Sequence, residues 1–279
     1  MQAKHIAIFI ICLILSIKQF AQITLSTPNV EAVLYLGEGR KQPLVVGLGG
    51  SEGGNAWASD YWKKTRDQFI SKGYAFLALG YFRGKGTPAI LEKIAIEDVF
   101  NAIRLAARQK GVNGKRIAII GGSRGADLAL LLGSYYPDIS CVVSIVGSNA
   151  VFPGNTIHFS SSCWTYEQKQ LPFLPVNDAA VPFLMKRNLR GAFEEMLKDS
   201  VALAKAAIPV EKIKGPILFM SATKDEVCPS TPMAESMMER LGQNQFKYPH
   251  LHKAVEGGHA APLKHFDEVI RFLDIYFLR

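Results

Sequence analysis

Short runs of apolar residues alternate along this chain with longer stretches in which apolar positions recur every three or four residues. The runs occupy residues 30–36, 43–48, 74–79, 116–120, 141–146, 216–221 and 248–255. Their brevity and β-rich content predict strands. Helical spacing fills residues 57–72, 90–110, 126–135, 233–241 and 262–278. In the second of these, Ile94, Val99, Ile103 and Leu105 point toward a core. Gly73 and Gly111 stand where helix stop residues belong. Apolar strands alternating with helices predict an α/β fold, with a mostly parallel sheet covered by helices on both faces. No internal repeat is present.

Residues 148–200 break the alternation. Pro153, Gly154, Pro172, Pro175 and Pro182 are interspersed with Phe152, Phe159, Trp164, Phe173 and Phe183. A long insertion of this kind in a compact domain predicts a lid. Its aromatic residues are expected to bury something, which makes Phe152, Phe159 and Trp164 candidate substrate contacts.

The first 21 residues have their own pattern. Lys4 precedes an apolar stretch at 6–17, and Ala21 offers a small residue before Gln22. That order predicts a secretory signal cleaved after Ala21, leaving one catalytic domain over 22–279 in a secreted or periplasmic protein. Twelve apolar residues fall short of the roughly 20 that a spanning helix needs, so no stable membrane insertion is expected. Cys12 lacks the small residue before it that a lipoprotein anchor would show.

Composition narrows the function classes. The 279 residues are 48% hydrophobic and 20% charged, enough for a sizeable core and unlike a disordered chain. The net charge of +8 is moderate and scattered, with no basic tract, so nucleic-acid binding is not expected. Cys141, Cys163 and Cys228 lie beyond the leader. An odd number is no disulfide framework, although Cys163 and Cys228 remain a possible pair. Gly47 and Gly49 after a strand resemble the start of a dinucleotide fingerprint. The third glycine, Gly53, comes one place late, and no acid follows the next strand. No Gly-Lys-Ser/Thr P-loop occurs, and no His, Cys or Asp spacing fits a metal site. No cofactor is implied.

The candidate chemistry centres on Gly121-Gly122-Ser123-Arg124-Gly125, which fits G-x-S-x-G directly between a predicted strand and a predicted helix. This is the context of a serine nucleophile raised on a sharp turn, where the flanking glycines relieve crowding. A serine needs a base. Of His5, His158, His250, His252, His259 and His265, only His259 falls in a loop between the last strand and the last helix, where catalytic groups gather. The acid that orients it is Asp225, with Glu226 as fallback, in the loop after 216–221. The order Ser, Asp, His is that of α/β-hydrolases. Two backbone N–H groups must face the oxyanion. One is that of Arg124, and the other is that of Gly50 or Ser51 in the glycine-rich loop after 43–48. The Arg124 side chain either meets an anionic group or is solvated.

These residues resemble the C-terminal, α/β-hydrolase domain of the acyl-CoA thioesterase and bile acid-CoA:amino acid N-acyltransferase family, over about residues 30–278. The similar stretches are 46–54, 116–131, 145–159 with Gly147-Ser148-Asn149, and 208–213 leading into 216–221, followed by Gly258-His259. The elbow and histidine motifs are shared with dienelactone-hydrolase-like enzymes. The resemblance implies a triad of Ser123, Asp225 and His259 acting on a small acyl ester or thioester. A serine nucleophile resembles the hydrolytic branch, whereas the amino-acid-conjugating branch uses cysteine. An acyltransferase on the same triad and a non-catalytic binding protein on the same scaffold are the alternatives.

Overall fold

The computed structural model describes residues 20–278; most of the expected signal segment, residues 1–19, lies outside them. Eleven strands and eight α-helices are formed there. The main sheet contains β1 (Ala21–Leu25), β2 (Glu31–Leu36), β3 (Gln42–Leu48), β4 (Ala75–Gly80), β6 (Val112–Gly122), β7 (Cys141–Ile145), β10 (Ile217–Ala222) and β11 (His250–Val255). Its order is β1-β2-β4-β3-β6-β7-β10-β11. The pairs β1–β2 and β2–β4 are antiparallel, and every later pair is parallel. Helices α1 (Asp60–Ser71), α2 (Ile96–Ala107), α3 (Arg124–Tyr135), α7 (Ser230–Gln243) and α8 (Phe266–Tyr276) connect or follow these strands. This is the α/β-hydrolase arrangement the sequence predicts.

Period-two alternation divides the core. Leu44, Val46, Leu48, Leu77 and Leu79 face one side, packed with residues of α2, α3 and α7. Val45, Phe76, Ala78, Ala118 and Ile120 face the other, against Phe69 of α1 and Val269 and Leu273 of α8. Both faces are dry, so the central strands are apolar throughout, as parallel strands under two helical layers must be.

The differences from the predicted elements have local causes. Strand β1 begins at Ala21, the last residue of the expected leader, and lies mostly exposed at the sheet edge, so its five residues carry little apolar signal. Helix α2 begins at Ile96, not at 90, because Lys93 has φ +51° and Ile94–Ala95 (β5) pair with Trp164–Tyr166 (β8). With Lys169–Gln170 (β9) these make a second, small sheet. The 57–72 helix is broken at Ser59, leaving a short 3-10 turn over Ala56–Ala58 before α1. Strand β11 is an edge strand, half-buried over most of its length and not fully covered. His265 caps α8 instead of lying within it.

The insertion is more ordered than a loop. It holds α4 (Val181–Met185), α5 (Leu189–Leu197) and α6 (Ser200–Ala206) in addition to β8 and β9. It closes where Ala150 bridges Ala207, a few residues beyond the expected end at 200. Phe152, Leu174, Ala192, Met196 and Ala206 form a core of its own.

Gly125 has no room for a side chain: a Cβ there would lie 2.3 Å from the Gly49 carbonyl oxygen. Gly125→Ala is expected to cost about 1–3 kcal/mol through overpacking. Gly73→Ala, with φ +91° but open space around it, is expected to cost roughly 1 kcal/mol through backbone strain alone. Denaturant unfolding of the two variants checks the ranking.

Candidate active site

Ser123 joins β6 to α3 with φ +52° and ψ −123°, a backbone conformation that L-residues avoid. Its N–H donates to the Ile145 carbonyl at 2.8 Å, fixing the turn against β7. The flanking glycines are steric necessities. A Cβ on Gly121 would approach the Gly125 carbonyl oxygen to 2.0 Å, while Gly122 faces open space to 4.0 Å. Thus the first and last glycines of the motif permit the turn, as the sequence implies, and the middle one is less constrained.

The loops after β10 and β11 bring Asp225 and His259 together. The His259 Nδ1 lies 2.9 Å from both carboxylate oxygens of Asp225. Asp225 is fully buried. Its Oδ1 accepts the N–H groups of Val227 and Cys228 at 3.0 and 3.1 Å, and its Oδ2 accepts the Ser230 hydroxyl at 2.6 Å. Burial pushes this carboxyl up, but hydrogen bonds from His259, Ser230 and the Cys228 amide outweigh it and hold it below the ordinary carboxylate value. Glu226, the fallback acid, does a different job: its Oε2 accepts the His259 backbone N–H at 2.9 Å. Ser123 and His259 both line a cavity of about 330 Å³, together with Gly50, Ser51, Trp57 and Trp62. The other histidines of the described residues stand apart. His252 Nε2 is 2.8 Å from the Ser221 hydroxyl, His250 Nδ1 is 2.8 Å from the Tyr248 carbonyl, and His158 is exposed.

Cys228, remote from His259 in sequence, comes close to it in space. Its sulfur, an Asp225 oxygen and a His259 nitrogen lie within 4.8 Å of one another. Burial raises the Cys228 thiol well above its ordinary value, and the Asp225 oxygens already serve the donors named above. A protonated thiol and a committed carboxylate are poor partners for a cation. Cys163 and Cys228 are both free and buried, so the possible disulfide is not formed.

The loop after β3 settles which of its amides is open. The Gly50 N–H donates to Glu52 Oε1 at 3.0 Å. The Ser51 and Arg124 N–H groups make no hydrogen bond among the described residues. The Tyr81 hydroxyl donates to the Gly49 carbonyl at 2.7 Å and anchors the loop. Sequence reasoning missed Glu52, because a carboxylate that holds its own loop has no motif.

A second cavity, about 320 Å³, shares Ser51 and Ser123 with the first and is walled by Phe152, Phe159, Phe193 and Met196. Two of the three aromatic candidates therefore face the site. Trp164 does not. It is fully buried in β8 against Tyr81 and lines neither cavity, because strand pairing with β5 turns it into the domain core. The Arg124 side chain is not solvated either. It reaches Asp127 at 3.3 Å and stacks over Phe152 and Phe193.

The depressed Asp225 value fixes the sign of a pH effect. Its stabilising contribution is complete above the unfolded value of about 3.9 and is lost as pH falls through the lower folded value. Asp225→Asn is expected to lose about 1–3 kcal/mol at neutral pH, a difference that narrows as pH falls through the lowered folded value of Asp225. Thermal unfolding of both proteins from pH 2.5 to 7 measures the difference.

Comparison with known proteins identifies the family and the fold. Residues 95–266 match the family described as BAAT / Acyl-CoA thioester hydrolase C terminal. The peroxisomal succinyl-coenzyme A thioesterase of Mus musculus is 31% identical over 177 residues, covering 61% of this chain and 38% of that protein. Acyl-coenzyme A thioesterase 6 of Mus musculus is 28% identical over 233 residues, 83% of this chain and 52% of that one. The chain thus spans about half, or less, of the length of these relatives. Among solved structures, the acylaminoacyl peptidase of Pyrococcus horikoshii superposes with a TM-score of 0.66 at 14% identity, over 93% of this chain and 42% of that chain. The family match takes in more than half of the residues, the elbow serine and the loop histidine among them, and the chain belongs to the BAAT / Acyl-CoA thioester hydrolase C-terminal family.

Proposed function

We propose that this protein is a serine hydrolase of small acyl thioesters or esters. The observation that carries the reading is His259 held through Nδ1 by a buried Asp225, on a cavity wall it shares with Ser123. The nucleophile is the Ser123 hydroxyl. His259 takes its proton as Oγ attacks the acyl carbonyl, and Asp225 stabilises the imidazolium. The Arg124 and Ser51 amides donate to the oxyanion, while Glu52 keeps Gly50 and the loop in place. Collapse breaks the bond to the leaving group, and His259 returns the proton to its sulfur or oxygen. Water, deprotonated by His259, then releases the acid from the acyl-enzyme. The relatives' names support an acyl thioester as substrate. The charged and apolar pattern of residues 1–21 supports export.

Labelling with a fluorophosphonate is expected for wild type and absent for Ser123→Ala; equal labelling of both rejects the nucleophile. Asp225→Asn is expected to lower kcat by about 10³–10⁴ on a short thioester by upsetting the imidazole tautomer. A loss of less than tenfold would remove Asp225 from the triad.

Substitution at Glu52 separates the two amides. If the Ser51 N–H serves the oxyanion, Glu52→Ala loosens the loop and kcat falls, roughly tenfold for one poorly placed donor. A rise in kcat would instead mean that Glu52 occupies the working donor, Gly50.

A further inference from the structure

The second cavity is mostly apolar, and Arg124 is the one cation on its wall among the described residues. The Arg124 side chain is 13% exposed and that of Asp127, beside it in the lining, 1%. A guanidinium offers five N–H donors. Among the described residues, this one makes a single hydrogen bond, from Nη1 to Asp127 Oδ2 at a long 3.3 Å. Asp127 has other partners too. Its Oδ1 accepts the Ser148 N–H at 2.7 Å, and its Oδ2 also accepts the Ser148 hydroxyl at 3.3 Å. Burial pushes the Asp127 carboxyl up, against the Arg124 charge and the Ser148 hydrogen bonds, which draw it down. The rings of Phe152 and Phe193 lie 5.4 and 5.7 Å from the guanidinium carbon and restrict its motion. The N–H groups of the fork that Asp127 leaves free can donate to a ligand in the cavity.

Resting on the hydrolase reading, we propose that Arg124 is a specificity determinant for acyl chains ending in a carboxylate. A carboxylate meets two parallel N–H groups of the fork, which a neutral carbonyl or hydroxyl does not. Asp127 is the only acid lining the cavity among the described residues, and its oxygens are occupied. The volume of about 320 Å³ holds about ten groups of water size. The expected substrate is therefore the monothioester of a short dicarboxylic acid, with its reacting carbonyl at Ser123 and its free carboxylate at Arg124.

The test uses three N-acetylcysteamine thioesters of one chain length, ending in methyl (hexanoyl), carboxylate (adipoyl) or methyl ester (monomethyl adipoyl). Wild type is expected to cleave the adipoyl thioester with kcat/KM at least tenfold above the other two, mainly through KM. In Arg124→Gln the carboxylate-to-methyl ratio is expected to fall below one, and Arg124→Lys is expected to keep part of it. Should the Gln variant fail to fold, protection of wild type decides: free adipate is expected to slow fluorophosphonate labelling of Ser123, and hexanoate is not. Equal cleavage of the hexanoyl and adipoyl thioesters by a protein that still labels at Ser123 overturns the subsite and leaves the hydrolase standing. A protein that neither labels nor turns over any of the three sinks both.

Discussion

The approach of α3 to the end of β3 sets the geometry of the whole site. Gly125 sits against the carbonyls of Leu48 and Gly49, closer than any side chain allows, and Gly50 lies within 3.1 Å, measured from the Cβ it lacks, of the Ser123 Cβ. One backbone contact therefore fixes the separation between the serine and the loop whose amides face it. The positive φ of Ser123 is tolerated because β6, β7 and the first turn of α3 determine the chain on either side. Everything else in the site is arranged around that junction.

The opposite wall is built by hydrogen bonds instead of close packing. Asp225 collects two amides, a hydroxyl and the imidazole, and Glu226 holds the backbone of the residue that carries that imidazole. Two adjacent acids thus divide the orientation of one histidine, one through its ring and one through its main chain. Such positioning is what a general base needs before its proton affinity matters.

Much of this was legible in the chain. The central strands announce themselves because burial on both faces leaves them no polar positions, and Gly121, Ser123 and Gly125 announce the turn because sterics admit few other residues. His259 and Asp225 follow from the fold order. What the sequence hid has a common character. Trp164 resembles the aromatic residues that line the pocket, and only its pairing with β5 sends it to the core. Glu52 acts on an amide two residues away and leaves no periodic trace. The small sheet of β5, β8 and β9 joins segments some 70 residues apart in two- and three-residue strands too short for an alternation to register. Contacts set by tertiary pairing are invisible to any local pattern.

The inserted segment leaves and rejoins the body of the domain through neighbouring positions, Ala150 and Ala207, and packs on an interior of its own. It stays tied to the body of the domain through β8 on β5, Trp164 against Tyr81 and the Arg190 guanidinium on the Asp225 carbonyl. Exchanges at Phe193 or Met196 alter the cavity wall without touching the register of β7 against β10, which includes neither. Selectivity can then diverge among descendants of one scaffold while the reacting groups keep their places.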